Sequence, residues 1–404
     1  MENEFSQSTL NVGTLGHIDH GKTTLTSAIT HVWTDKYSES IKRNMTIKLG
    51  YADAIISKCE CNDRSYYTTE KECPNCKMTK LRRISILDAP GHEMLMATAI
   101  AEANIIDAII FVISATEPCP MPQTREHMMI INILGIKDVI IVQTKIDVVG
   151  KEKAIEHYKQ IKEFIKGSAI ENAPIIPVVA TQNINISELL EKLLNIKAPS
   201  REIEKDPLMY VVRSFDVNKP GANIETLTGG VIGGAVLQGK FKIGDIIEMI
   251  PGVKMVGKSK SDTYKRITTK ITGISTDFGK INEAIAGGLV AFATEIDPAF
   301  AKADGLVGNL VGLAGKMPVP VLKAKIKYYD LERKDIPKKA LMQEEAVICC
   351  IGTATLIGRI KKVKKTSVEI EFGREVCILP NSKIAIMRKD LQQRWRLSGF
   401  GIPE

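Results

Sequence analysis

Gly16-His17-Ile18-Asp19-His20-Gly21-Lys22-Thr23 is the stretch on which the reading of this chain turns. It fits G-x-x-x-x-G-K-[ST], follows an apolar run at residues 10–15 and opens a helical pattern at residues 22–33. Strand, glycine-rich turn and helix thus stand in the order that a phosphate-binding loop requires. The glycines let backbone N–H groups wrap phosphate oxygens, and the start of the helix adds the positive end of its dipole. Lys22 is placed to reach the β- and γ-phosphates of a nucleotide, and the Thr23 hydroxyl to ligate Mg²⁺. His17 and His20, inside the loop, read first as packing residues.

Outward from the loop, short β-branched runs recur at residues 84–87, 108–113, 139–143 and 175–179. They alternate with helical patterns at 93–103, 123–134 and 151–166. That alternation predicts βαβ units and an α/β domain with a parallel-type sheet, its chemistry in the loops at the carboxyl ends of the strands. From about residue 206 the texture changes to short, glycine-punctuated β runs at 210–215, 229–239, 245–250 and 265–274. These predict a small closed barrel, and Pro318 and Pro320 mark a linker before a second β-rich block. The expected organisation is a P-loop α/β domain over residues 1–200, an all-β barrel over 206–317 and another over 318–404.

Composition narrows the class. The chain has 404 residues, 44% hydrophobic and 25% charged, which excludes disordered and collagen-like proteins and allows several cores. The net charge of +8 favours an acidic partner, though weakly for this length. No basic segment leads into an apolar core at the N-terminus, and the most apolar run, at 105–115, is too short to span a bilayer. Eight cysteines, four of them between Cys59 and Cys76, point to a reducing, cytoplasmic compartment and a metal rather than a disulfide framework.

Three further motifs carry chemistry. Asp88-Ala89-Pro90-Gly91-His92 ends the run at 84–87, so Asp88 emerges at the sheet edge beside the phosphate loop, where it can hold the metal. Gly91 can bring its N–H against a γ-phosphate, and His92 is placed to orient an attacking water. Thr144-Lys145-Ile146-Asp147 follows the run at 139–143. A carboxylate at Asp147 accepts from N1–H and the exocyclic amine of guanine, whereas adenine leaves it unpaired; a helix-capping role is the structural alternative.

Cys59, Cys61, Cys73 and Cys76 form C-x-C followed by C-x-x-C within an insertion at about 57–78. Four thiolates suit a closed, structural tetrahedral Zn²⁺ site, although the first pair is one residue tighter than usual. Cys119, Cys349, Cys350 and Cys377 read as packed thiols. His31, His127 and His157 fall on helical patterns without a partner signature. The cluster of Lys361, Lys362, Lys364 and Lys365 reads as a solvated face, with nucleic-acid contact as the lesser alternative.

The motifs GHIDHGKT, a lone Thr46 after Arg43, DAPGH and TKID resemble, in order and spacing, those of the translational GTPases. The cysteine insertion, Cys119-Pro120-Met121-Pro122-Gln123-Thr124, Arg213 to Gly221 with Gly229 to Gly234, and the ending Arg394 to Gly401 narrow it. Together they resemble the gamma-subunit family of eukaryotic and archaeal translation initiation factor 2, over nearly the whole chain.

The resemblance implies a slow GTPase that carries methionyl initiator tRNA to the small ribosomal subunit, with GTP/GDP as the switch and Mg²⁺ as cofactor. Its implied partners are alpha and beta subunits, a GTPase-activating factor and an exchange factor, with no membrane. It assigns nucleotide contacts to Asp19, His20, Gly21, Lys22, Thr23, Thr24, Thr46, Asp88, Gly91, Thr144, Lys145, Asp147 and Ala180. Mg²⁺ ligation falls to Asp19, Thr23, Thr46 and Asp88, and the catalytic positioning of water to His92. No arginine finger is evident beside the motifs, so a partner or the ribosome must complete the hydrolytic site.

Two departures stand out, Thr144 where the family has Asn and Val179 where it has Ser. One hydroxyl at 144 is expected not to serve both base and phosphate loop, which predicts weaker or faster-exchanging nucleotide. The alternatives are an elongation-type GTPase delivering another aminoacyl-tRNA and a GTP-gated tRNA-binding adaptor with negligible catalysis. A metabolic P-loop kinase fits least, because it has no use for two barrels or for Asp147.

Overall fold

A computed structural model of the chain describes residues 6–35, 50–61, 64–74, 76–89, 97, 100–101, 103–219, 227–255, 263–331, 340–390 and 392–404. Thr46, Gly91 and His92, and most of the expected helix at 93–103, lie outside the described residues. The chain divides into two units, one of Met1–Ala99 with Ile106–Ser200, the other of Ile100–Ile105 with Arg201–Glu404.

The first unit is built on strands β1 (Asn11–Leu15), β2 (Gly50–Cys61), β3 (Arg64–Thr68), β4 (Lys77–Asp88), β5 (Ala108–Ser114), β6 (Val139–Thr144) and β7 (Ile175–Pro177). They lie in the order β3-β2-β4-β1-β5-β6-β7. Strands β4, β1, β5, β6 and β7 pair in parallel. β5 is buried throughout and apolar from Ala108 to Ile113, which is what a central strand covered on both faces requires. Helices α1 (Lys22–Thr30), α2 (Pro122–Leu134), α3 (Lys151–Ile165) and α4 (Ile186–Asn195) accompany the sheet. In α4, Ile186, Leu189, Leu190 and Leu193 recur at helical spacing, and this stripe packs on Val12, Ile84, Ile110 and Val142 in one core.

The sheet departs from the expected parallel type on one side. Strands β2 and β3 add antiparallel to β4, and β4 is twelve residues long where four were expected. The reason is visible in its burial: residues 77–81 are largely exposed and polar, so no apolar run announces them, whereas Arg83 to Asp88 are buried. Arg83 is 1% exposed and survives there because Asp53 of β2 pairs with it, Nη2 to Oδ2 at 2.5 Å, while Ser85 Oγ donates to the other oxygen at 2.5 Å.

The second unit holds two barrels. Strands β8 (Leu208–Phe215), β9 (Val231–Gln238), β10 (Lys240–Lys242), β11 (Ile246–Met255), β12 (Thr263–Thr276), β13 (Gly279–Ile281), β14 (Glu283–Ile285), β15 (Leu289–Thr294) and β16 (Leu310–Leu313) form the first. Its sheet runs β11-β16-β8-β9-β15-β12-β13, and pairing of β11 with β12 closes it. The second barrel is closed by β17 (Val321–Asp330), β18 (Ala346–Ile351), β19 (Ala354–Val363), β20 (Ser367–Val376), β21 (Ile384–Lys389) and β22 (Trp395–Pro403), in the order β17-β20-β19-β18-β21-β22. Thr353 Oγ1 donates to Val211 O at 2.8 Å, joining the barrels. Gly352 next to it has φ +53, and a Cβ there would lie 2.3 Å from the Tyr210 ring, so glycine is needed for the approach. Among the described residues no helix is long and apolar enough to cross a membrane.

Candidate functional site

Strand β1 delivers the chain to Gly16, whose φ of +150 and a Cβ position 2.3 Å from Val112 O leave room only for glycine. Asp19 (φ 58) and Gly21 (φ 88) then turn the backbone through left-handed conformations into α1. The turn therefore sets the N-terminal end of α1 at the carboxyl edge of the sheet, where the positive end of a helix dipole favours an anion. Thr14 and Asp88 are register partners in the parallel pair β1 and β4, which brings the two distant motifs side by side.

Asp88 is fully buried and three hydroxyls converge on it. Thr23 Oγ1 donates to Oδ2 at 2.6 Å, Thr34 Oγ1 to Oδ2 at 3.0 Å and Thr14 Oγ1 to Oδ1 at 3.1 Å. Burial pushes the Asp88 carboxyl upward, and Thr23, Lys22 and the other hydroxyls oppose that shift. Lys22 is also buried; its Nζ donates to His17 O at 2.8 Å, and burial lowers its pKa to about 8 against the pull of Asp88 and Asp19. The result is a buried cluster of hard oxygen donors beside a desolvated cation, a donor set that suits Mg²⁺ and a polyphosphate.

His20 has a side chain with 2% exposure. Its Nε2 lies 3.0 Å from Glu117 Oε2, and burial lowers the imidazole to about 4, so it is neutral at neutral pH. Its side chain is packed inside the loop, with Nδ1 3.3 Å from Val112 O. Thr144, 3% exposed at the end of β6, donates from Oγ1 to His20 O at 2.7 Å. Lys145 then takes φ 56, and Asp147 stands exposed one turn on. Ala180 begins the turn after β7, at the edge of the same face.

Sequence reasoning missed Thr14, Thr34, Gly50 and Glu117. Thr14 could have been found by counting back along β1 to the position level with Asp88. Gly50, the register partner of Asp88 on β2, is glycine because a Cβ there would fall 2.6 Å from Thr34 Cβ. Neither Thr34 nor Glu117 carries a local signal; only the fold brings them in.

The four cysteines of the insertion also converge. Cys59 and Cys61 come from the end of β2, and Cys73 and Cys76 from the turn before β4, with all four sulfurs within 4.8 Å of one another. The sulfurs pair as Cys59 with Cys73 and Cys61 with Cys76. The non-bonded contacts Cys59 to Cys61 and Cys61 to Cys73 are 3.7 and 3.8 Å. The two bonded pairs are disulfides, against the expectation of free thiols; once they are reduced, four thiolates within 4.8 Å of one another make a donor set that suits a tetrahedral zinc ion. Cys349, Cys350 and Cys377 are buried and Cys119 is half-buried; none joins the cluster.

Fold and phosphate site together define a translational GTPase. The family model for the Elongation factor Tu GTP binding domain matches residues 7–199, and that for Initiation factor eIF2 gamma, C terminal, matches residues 323–403. Translation initiation factor 2 subunit gamma of Sulfurisphaera tokodaii is 46% identical, with 98% of each chain covered. The proteins of that name from Methanococcus maripaludis and Pyrococcus furiosus are each 45% identical over 98% of this chain. This chain belongs to the gamma-subunit family of translation initiation factor 2 and is a GTPase subunit of that factor.

Among solved structures, the elongation factor SelB of Methanococcus maripaludis with the GTP analogue GppNHp superposes with a TM-score of 0.73 at 23% identity, covering 99% of this chain and 79% of that one. A bacterial selenocysteine-specific elongation factor gives 0.72 at 24% identity, covering 98% of this chain, which spans 59% of that protein's length. At those identities the likeness is one of fold.

Proposed function

We propose that this chain, in the cytoplasm, binds methionyl initiator tRNA in its GTP state and delivers it to the small ribosomal subunit, as the GTP-switched member of an assembly with alpha and beta subunits. The observation that carries the switch is the buried Asp88 carboxylate 2.6 Å from the Thr23 hydroxyl beside Lys22. In this reading Lys22 grips the β- and γ-phosphates, and Asp19, Gly21 and Thr24 line the phosphate path together with the backbone of His20. Thr23 and Asp88, joined by Asp19 and Thr46, hold Mg²⁺, which when bound offsets phosphate charge. Gly91 meets the γ-phosphate, His92 orients water, and Lys145, Asp147 and Ala180 hold the guanine. Loss of the γ-phosphate then releases the segments carrying Thr46 and Gly91. Hydrolysis is completed by a GTPase-activating partner or the ribosome, and an exchange factor resets the switch. Domains at 1–200, 206–317 and 318–404 divide these tasks.

The test is filter binding of the chain, loaded with a non-hydrolysable GTP analogue, to methionyl initiator, methionyl elongator and uncharged initiator tRNA. Preference for the charged initiator that is lost with GDP is expected. Equal binding of every aminoacyl-tRNA would move the reading to an elongation role. The cysteine cluster is assigned a structural zinc: the reduced chain should bind one Zn²⁺, and Cys73→Ser should abolish that binding.

A further inference from the structure

The hydroxyl of Thr144 has one proton, and the structure places it on the phosphate loop. Oγ1 donates to His20 O at 2.7 Å, the backbone carbonyl of Thr144 accepts from Ala115 N at 2.9 Å, and the residue is 3% exposed. The side chain therefore ties the loop that ends β6 to the carbonyl just before Gly21, where the phosphate turn enters α1. The expected conflict between two tasks is resolved in favour of the tether.

A consequence follows for recognition of the base. Guanine offers donors at N1 and N2 and acceptors at O6 and N7. A carboxylate such as Asp147 can read only the donors. A hydroxyl whose proton is already given away can accept but not donate, so it has nothing for N7. An amide at the same position would bring two N–H donors and an acceptor, enough for both partners.

We infer that Thr144 is a positioning residue that couples the base loop to the phosphate loop, and that its side chain leaves N7 of the purine unread. This rests on the GTPase reading above and extends it: discrimination among bases is carried by the donor edge, and purines altered at position 7 are accepted as readily as guanine.

The test uses the full chain and compares equilibrium binding of GDP and 7-deaza-GDP, in which N7 is replaced by C–H. The natural protein should bind both within twofold. In Thr144→Asn, 7-deaza-GDP should fall behind GDP by about fivefold, the net value of one neutral hydrogen bond. Thr144→Val should release both nucleotides faster by a similar factor without changing their ratio, and Thr144→Ser should restore the natural rate. A fivefold preference for GDP in the natural protein, no preference in Thr144→Asn, or natural release rates in Thr144→Val would each overturn the inference while leaving the GTPase reading in place. Failure of the folded natural protein to bind GDP at all would overturn both.

Discussion

The two ends of the proposed nucleotide site are built differently. At the phosphate end Asp88 is fully buried, gathers hydroxyls from Thr14, Thr23 and Thr34, and has the buried Lys22 beside it. At the base end Asp147 is exposed, and the polar side chain before it, Thr144, is turned away to the phosphate loop. The phosphate end is held by buried hydrogen bonds, and low-dielectric surroundings strengthen every interaction made there. The base end offers one solvated carboxylate, so affinity should reside mostly in phosphate contacts and selectivity in a single side chain.

The harshest challenge to that contrast is Lys22→Ala. It should weaken GDP and GTP by about a hundredfold, as loss of charge-assisted bonds to phosphate demands, with the fold intact by circular dichroism. A change of less than about threefold would show that the phosphate end is not where affinity lies. Next comes Asp147→Asn, which replaces an acceptor by an amide able to donate to the C2 carbonyl of xanthine. Competition binding should show the preference between GDP and XDP shifting by about tenfold or more, and unchanged selectivity would move base reading elsewhere.

A finer test concerns Gly50. Because a Cβ there would crowd Thr34, Gly50→Ala and Thr34→Val should weaken Mg²⁺-dependent nucleotide binding alike, each by about fivefold to tenfold. A mild Thr34→Val effect beside a severe Gly50→Ala effect would mean that the glycine serves packing, not Thr34. The smallest effect is expected outside that site. Lys361 is ion-paired with Glu344 and Glu371 on the surface of the second barrel, so Lys361→Ala should leave the urea midpoint and nucleotide binding unchanged within experimental error.

The buried ion pair of Arg83 and Asp53 marks the boundary of what could be read in advance. Alternating apolar runs announced β1, β5 and β6 to within a residue, because a strand covered on both faces must be continuously apolar. The same rule hid β2 and most of β4, whose interior polar residues, Asp53, Arg83 and Ser85, satisfy one another only across the sheet. At the site, the phosphate-loop residues were legible because a contiguous motif encodes a contiguous turn. Thr14, Thr34, Gly50 and Glu117 were not, since each matters through a partner many residues away. The basic cluster at Lys361 to Lys365 read as a solvated face; Lys362, Lys364 and Lys365 are exposed, and Lys361 and Lys362 are matched by Glu344, Glu371 and Glu369.

The sequence by itself determined the phosphate loop, the order of its partner motifs, the change from βαβ units to barrels and the family to which the chain belongs. Each of these depends on residues adjacent in the chain or on motif order, and local backbone sterics or linear spacing suffice to express it. Only the tertiary structure decided that three hydroxyls converge on Asp88, that four cysteines share one centre, and that Thr144 gives its proton to the phosphate loop. A hydrogen bond is decided by where its two partners are brought to rest; for Thr14 and Asp88 that placement belongs to strand register across the sheet, and for the others to the helix and loops that the strands carry.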